Sequence, residues 1–580
     1  MKKNRNNMIF NTSRVLEKVS LIGIPARFRW LLALTLISAV AMPIIMHAGR
    51  VEGVNEFDYF IYYRLLFFND YFNSLAMLAA LLAALLLRST WSRVEQLAQW
   101  ITLYPLKTCI ISFVAIAGAG RFIYQAFPLA MDEYAQLLQA RIFSQGSFAL
   151  IYPLELLDRM VIPGARHFIL VNPETGQAAS AYWPGLALLM TPFAFLELEW
   201  LLNPLLAAIG LWLIGDLANQ ASGQSQARGW AILAALACPQ YTINAMSYYS
   251  MTSLLTFNLL YLWLLLKNNW RSTLLAGVVG GFALGMHNPV PHSLFAIPCI
   301  AWLLLNRSRY TQLFPLIIGY FPLILLLCLG RNLLIHFMEL KGNLHAVNYH
   351  YENADFIGKL FQKIQEIFIF PDLRIVIVRA YALCKMVIWA APGILLALFF
   401  IKPNTLIQRI LLYSLVFSFI FYLFIYFDQG HGWGYRYIHP VWGIIAISAG
   451  IFAVSGHTFQ RNFIAVSVLA GLLATPVFAL QTGRTIALSK SIQPALPTTQ
   501  DDSQFFVFIT PHNGLYTMDL IRNYPKDEGK IIRMVSYGEE EDAILAKQFS
   551  LEALQISVSP MGSVWKLPPI KESYITTGVN

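Results

Sequence analysis

Three stretches of this sequence combine residue types that could do chemistry. The first is Met131-Asp132-Glu133-Tyr134-Ala135-Gln136, running on through Ala140 and Arg141 to Gly146. Adjacent carboxylates could take a proton from an attacking hydroxyl, the work of a general base. They also open what reads as a short helix ending near Gly146, and acids at a helix N-terminus are favoured by the helix dipole with no chemistry involved. On helix chemistry alone the second explanation is preferred. The next stretch is His431-Gly432-Trp433-Gly434-Tyr435-Arg436-Tyr437-Ile438-His439-Pro440. The Arg436 guanidinium could fork onto a phosphate, and an ordinary lipid-headgroup contact accounts for it equally well. In His287-Asn288-Pro289-Val290-Pro291-His292, two histidines together with Glu133 could hold a divalent ion, the one cofactor the sequence raises. A proline-shaped turn is the favoured explanation, because no pair among them has a helical ligand spacing. His345 and His350, beside Tyr349 and Tyr351, read as surface residues within reach of an acceptor.

What must position these groups is a membrane scaffold. Of 580 residues 57% are hydrophobic and only 12% charged, where a soluble chain carries about 25% charged residues. So few charges cannot cover a water-facing surface, and the bilayer is the natural solvent for most of the chain. The 14% of aromatic residues suits interfacial belts. A net charge of +10 could signal nucleic acid, but Lys and Arg lie mainly between apolar runs, where they act as topology signals and headgroup contacts. Cys109, Cys238, Cys299, Cys328 and Cys384 lie in or beside apolar runs without a CxxC pair, so neither a disulfide framework nor a cysteine metal site is expected. The first apolar run follows a long polar start and reads as a retained helix rather than a signal peptide.

Apolar runs lie near 30–47, 72–87, 109–127, 184–197, 201–218, 229–246, 250–266, 273–287, 290–305, 312–330, 386–401, 409–427, 437–455 and 461–480. Lys2, Lys3, Arg5, Arg14, Lys18, Arg27 and Arg29 place the N-terminus in the cytoplasm, and Arg88, Arg93 and Lys107 belong there too. So do Lys267 with Arg271, Arg307 with Arg309, Lys402 with Arg409, and Arg461. Alternation satisfies all of them if one run between Tyr182 and Asn219 fails to span. The short run behind Trp183-Pro184-Gly185 is the candidate re-entrant or interfacial helix. The expected fold is mainly α: a polytopic transmembrane helical bundle of about 13 crossings. Residues 1–108 supply a cytoplasmic segment and two extra transmembrane helices, and 109–484 form the main membrane module. Two external segments, 128–182 and 331–385, are too long for simple connectors. Leu137, Leu138, Ile142 and Phe148 in one, and Leu360, Ile364, Ile367 and Phe368 in the other, read as amphipathic surface helices. Residues 485–580 change character: a linker with Pro494 and Pro497, strands at Phe505–Ile509 and Lys530–Ser536, helices at Leu515–Arg522 and Glu541–Phe549. This is a small soluble α/β module.

The first external segment resembles that of the GT-C glycosyltransferases, most closely the protein mannosyltransferase and lipid A aminoarabinose transferase group. The likeness is carried by Asp132-Glu133-Tyr134 right after a membrane helix, then Ala140 and Gly146, and by Tyr182-Trp183-Pro184-Gly185 as the aromatic-Pro lead-in to the next helix. The Gly-rich, Trp-containing turn with Arg436-Tyr437 and Pro440 is similar to the family's as well, and charge alone puts it on the same face as Asp132. Two apolar runs precede the Asp132 helix, where better-known members have one. The resemblance implies transfer of a sugar from a polyprenyl-phosphate donor to a lipid, glycan or protein acceptor, with inversion, at the outer face of a bacterial inner membrane. It implies Asp132 as base, Glu133 orienting it or helping to bind acceptor or metal, Arg436 and Tyr437 on the donor phosphate, and Tyr134, Trp433 and His431 as further substrate contacts. A transporter or flippase of a lipid-linked substrate is the competing class. Few mid-membrane charges and no visible inverted repeat speak against it. A non-catalytic scaffold of the same fold is the third.

Overall fold

The structure, a computed structural model, describes residues 26–48, 65, 68–340, 368, 370–425, 431–456, 458–492, 494, 503–511, 517–525, 530–569 and 575–577. In a bilayer an apolar segment must satisfy its own backbone, and the body of the chain is accordingly helical. It opens with α1 (Ala26–Ala48), α2 (Asn69–Leu86), α3 (Trp91–Leu103) and α4 (Pro105–Phe122). α5 (Met131–Ser144) follows, turned off by Gly146 at φ +73°. α6 (Gly185–Ala194) has only ten residues, about 15 Å or half the hydrocarbon thickness. It is the member of its pair too short to span, and α7 (Leu202–Ser222) is the long one.

α8 (Gln226–Ala237), α9 (Pro239–Asn244), α10 (Ser250–Leu266), α11 (Trp270–Leu284), α12 (Val290–Leu305) and α13 (Leu313–Leu323) come next. α13 runs on through a π-helical stretch to Phe337. The external segment was expected from residue 331, yet Arg331 does not end the helix. Its guanidinium turns back to the carbonyls of Ala181 and Tyr182, so the charge is satisfied by the loop beside it. α14 (Leu373–Trp389), capped by the Asp372 side chain on the Ile375 N–H, also begins inside that segment. It meets α15 (Pro392–Phe400) at a 105° bend. α16 (Leu406–Leu423) opens with a Thr405–Gln408 capping box, and α17 (Gly443–Val454) and α18 (Thr458–Ser491) complete the body. Among the described residues seven helices are long and apolar enough to cross a membrane, eight if α14 and α15 form one broken span, with five shorter apolar helices beside them. The chain is a multi-pass membrane protein.

Two small sheets belong to a cap at one end of the bundle. β1 (Leu150–Ile151), β2 (Ile169–Val171) and β3 (Gln177–Ser180) lie between α5 and α6, and β4 (His431–Gly432) and β5 (Gly434–Tyr435) form a hairpin before α17. The C-terminal domain holds β6 (Gln504–Ile509), β7 (Ile531–Val535), α19 (Glu539–Phe549), β8 (Leu554–Ser559) and β9 (Gly562–Leu567), in sheet order β7-β6-β9-β8. β10 (Thr576–Thr577) then leaves that domain and pairs with β1. The helix expected over Leu515–Arg522 is, in its described part, a single turn at Thr517–Asp519. Its polar side chains are spent on α5 instead. Leu360, Ile364, Ile367, His345 and His350 lie outside the described residues.

α5 is the hinge of this arrangement. Met131, Tyr134, Leu138 and Ile142, at helical spacing, share a buried cluster with Phe506, Phe508, Ile532 and Met534 of the C-terminal sheet. Leu137 and Ala140, on another face, belong to the core of the membrane bundle.

Candidate active site

The first turn of α5 carries Asp132 to the seam between cap and bundle. Its Oδ2 sits 2.8 Å from Arg436 Nη1, and the Tyr182 hydroxyl donates to Oδ1. Burial acts to raise the Asp132 carboxyl, but the Arg436 charge and the Tyr182 hydrogen bond outweigh it and hold the pKa below the usual carboxylate value. Asp132 keeps 17% of its side-chain surface exposed, while Arg436 keeps 3%. The Arg436 guanidinium lies over the Tyr249 ring at 4.8 Å, and the Tyr182 ring stacks on His287 at 4.8 Å. Burial pushes His287 down to about 4, so the imidazole is neutral at neutral pH.

Local packing explains why these groups converge. The Gly185 N–H donates to the Gly285 carbonyl at 2.8 Å, and a Cβ at 185 would stand 2.7 Å from that oxygen. Only glycine lets the α6 lead-in and the His287 turn approach this closely. Arg436 follows a hairpin held from beneath by two polar side chains one helical turn apart. Gln240 donates to the Tyr435 carbonyl (2.8 Å) and accepts its N–H (3.1 Å), and Asn244 donates to the Trp433 carbonyl (2.8 Å). Gly434 has φ +76° and faces Gln240 with no room for a Cβ.

Glu133 points elsewhere. It is fully buried and accepts from the backbone N–H groups of Leu129 (2.5 Å) and Tyr248 (2.7 Å) and from the Tyr124 hydroxyl (2.9 Å). Tyr124 in turn accepts from Trp433 Nε1 at 3.1 Å. Despite these donors, burial pushes Glu133 up to about 7. It is a strut joining the α4 exit, the α10 lead-in and the Arg436 hairpin. No hydrogen bond joins it to Asp132, so the expected role of orienting Asp132 does not fit this geometry.

The donors weighed for a divalent ion do not fit one either. Both ring nitrogens of His292 are engaged, Nδ1 with Asn258 Oδ1 at 2.8 Å and Nε2 with the Tyr320 hydroxyl at 2.7 Å. Glu133 is saturated by its strut contacts, and His287 is stacked on Tyr182. Among the described residues no three His, Cys, Asp or Glu side chains are grouped as metal ligands.

The other predicted contacts separate. Tyr134 faces the C-terminal domain, its hydroxyl donating to the Asn523 carbonyl (2.6 Å) and accepting the Asn523 N–H (2.8 Å). Trp433 is buried against Tyr124. Tyr437 stacks on Tyr422 at 4.6 Å. His431 pairs with Tyr435 through the backbone hairpin. Sequence reading missed Tyr182 as a partner of Asp132, and Tyr249, Arg331, Gln240 and Asn244 as supports. Gln240 and Asn244 left a signal: two amides four residues apart inside an apolar run.

No protein-family profile and no curated protein matches this chain. Among solved structures, ArnT from Cupriavidus metallidurans bound to undecaprenyl phosphate is similar at 12% identity and a TM-score of 0.45, over 79% of this chain and 97% of that one. The apo ArnT structure from the same organism gives 12% identity and a TM-score of 0.44 over the same shares. The likeness is broad in coverage and loose in superposition, and what the site does is read from its own residues.

Proposed function

We propose that this chain is a membrane glycosyltransferase of the GT-C type, moving a sugar from a polyprenyl-phosphate donor to an acceptor hydroxyl on the outer face of a bacterial inner membrane. The observation that carries the proposal is the Asp132–Arg436 pair, a partly exposed aspartate whose carboxylate lies 2.8 Å from a buried guanidinium at the bundle–cap seam. The family resemblance of the residues around both supports it, as does their placement. Short turns join α10 to α11 and α11 to α12, so the chain reverses at each, and the 285–289 turn beside the site lies at the other end of these helices from the basic turns at 267–271 and 306–309.

In this mechanism the donor phosphate competes with Asp132 for Arg436. A phosphate accepts the guanidinium fork, and its arrival frees Asp132 of the charge that depresses its basicity. The acceptor oxygen then attacks the anomeric carbon, its proton passes to Asp132, and the bond from that carbon to the phosphate oxygen breaks. The developing charge on the departing polyprenyl phosphate rests on Arg436. One in-line displacement inverts the anomeric centre. Tyr182 keeps Asp132 in place throughout.

The test is transfer by the purified chain in bilayers, offered a panel of labelled polyprenyl-phosphate sugars with a pool of envelope lipids and glycans. Asp132→Asn is expected to lower kcat about 100- to 10,000-fold, the usual range for a lost general base. Undiminished turnover in the variant would remove Asp132 from the role. No turnover by folded wild type with any donor would remove the class and favour the transport reading.

A further inference from the structure

The helix that carries Asp132 has no N-cap of its own. Ala130 stands at the cap position with extended backbone, φ −129° and ψ 166°, and no side-chain oxygen to offer. Alanine is among the poorest cap residues. The first N–H of the helix, Met131, is instead taken at 2.7 Å by Asp519 Oδ1, a side chain 388 residues away in the C-terminal domain. Asp519 is buried, and a carboxylate at that end also suits the helix dipole. Beside it Arg522 Nη2 donates to the Leu129 carbonyl at 3.1 Å, with its guanidinium over the Phe127 ring at 4.2 Å. Leu129 is the residue whose N–H anchors Glu133.

We propose that Asp519 is a positioning residue of the active site, a cap supplied from the C-terminal domain that fixes the first turn of α5 and so holds Asp132 against Arg436 and Tyr182. The inference rests on the transferase reading for its activity readout but not for its structural one. The domain does not depend on Asp519 for docking. The Tyr134–Asn523 pair, the β10–β1 pairing, the Arg159–Asp542 ion pair and the shared apolar cluster all hold it independently. Removing the carboxylate therefore loosens one helical turn rather than undocking the domain. A base displaced by about 1 Å costs on the order of 100-fold in rate.

The experiment compares full-length Asp519→Ala, Asp519→Asn and the double variant Asp519→Ala with Ala130→Ser. Asp519→Ala is expected to lower kcat about 10- to 100-fold with donor KM nearly unchanged and the thermal transition intact. Asp519→Asn keeps an oxygen acceptor and retains most of the rate. Ala130→Ser, where the backbone is already extended, offers an acceptor to the Asp132 or Glu133 N–H of the same turn and restores part of the loss by fixing that turn. Wild-type kcat in Asp519→Ala overturns the proposal. Hydrogen exchange over residues 129–136 is measured on the same samples. Faster exchange in Asp519→Ala, slowed again in the double variant, supports the cap even if wild type transfers no sugar. Unchanged exchange overturns it whatever the activity.

Discussion

A carboxylate locked to a guanidinium is well ionised and weakly basic, and this is the resting state of Asp132. The design makes sense if the partner is surrendered when the donor arrives. Arg436→Lys tests that exchange, because an ammonium is a point charge that cannot fork onto phosphate. Donor KM is expected to rise and kcat to fall, each by about 10-fold or more, in steady-state transfer with the donor varied. An unchanged KM would place the phosphate elsewhere. Glu133 and Asp519 behave oppositely to Asp132. Burial raises each to about 7, against ordinary values of 4.5 and 3.8. Between those ordinary values and about 7 the folded chain holds protons the unfolded chain has released, so stability is full below the window and falls as pH rises through it. Burial holds His287 down and works in the opposite direction over part of the same range, so the comparison is with a variant: from pH 5 to pH 8 the thermal transition of wild type in detergent should fall relative to that of Glu133→Gln. A slope as steep in the variant as in wild type would contradict the assignment. The family resemblance of their motifs singles out Asp132 and Arg436, and charge puts both on one face, but their 2.8 Å pairing across 304 positions leaves no mark in the sequence. The place of Glu133 was not legible, since adjacent acids read alike in sequence while consecutive helical positions face about 100° apart.

Among the elements, α14 brings a buried charge into the bundle. It carries Lys385, fully buried, whose Nζ lies 2.7 Å from Asp70 Oδ2 at the start of α2. Tyr381 and Trp389 of the same helix donate to the same carboxylate at 2.6 and 3.0 Å. One aspartate thus ties an N-terminal helix to three positions on the broken span, just before its 105° bend. Taking one partner from a buried pair strands the other, at a cost of about 3–5 kcal/mol. Asp70→Ala should unfold markedly earlier in a thermal ramp, whereas Asp70→Leu with Lys385→Met should recover most of the loss. If the double variant is no better than the single, the ion pair itself and not its burial sets the stability. This tie was invisible in sequence, because pairing 315 positions apart leaves no local period. The helices were legible for the opposite reason: apolar runs are local, and the runs near 290–305 and 409–427 correspond closely to α12 and α16. The two- to four-residue strands β1 to β3 left no alternation long enough to read. In its described part the helix expected at Leu515–Arg522 is a single turn, and Asp519 and Arg522 reach the Met131 N–H and the Leu129 carbonyl at the start of α5, long-range contacts with no local period.

At the scale of the whole molecule, everything proposed for the site depends on which way the bundle faces. The Lys and Arg residues of the turns at 267–271, 306–309 and 402–409 argue that these ends are cytoplasmic and the cap is not. The chain itself offers a clean way to test this. Cys109, Cys238 and Cys299 are buried, and Cys328 and Cys384 are half-buried within apolar helices. Wild type should therefore react little with a membrane-impermeant maleimide in intact cells. Lys547 on α19 and Ser225 in the turn between α7 and α8 are both exposed, on opposite sides of the bundle by the charge rule. Lys547→Cys should be labelled from outside without permeabilisation, and Ser225→Cys only after it. The reverse pattern would put Asp132 in the cytoplasm. A donor that must meet its acceptor on the outer face could not reach it there, so the transferase would have to work on the inner leaflet, and the basic turns would face away from the compartment that normally retains them. Labelling of both positions from outside would instead require an extra or missing crossing between residues 225 and 547. The broken α14–α15 pair is where such a miscount would arise, since a 105° bend decides whether that pair crosses the bilayer or turns back within it.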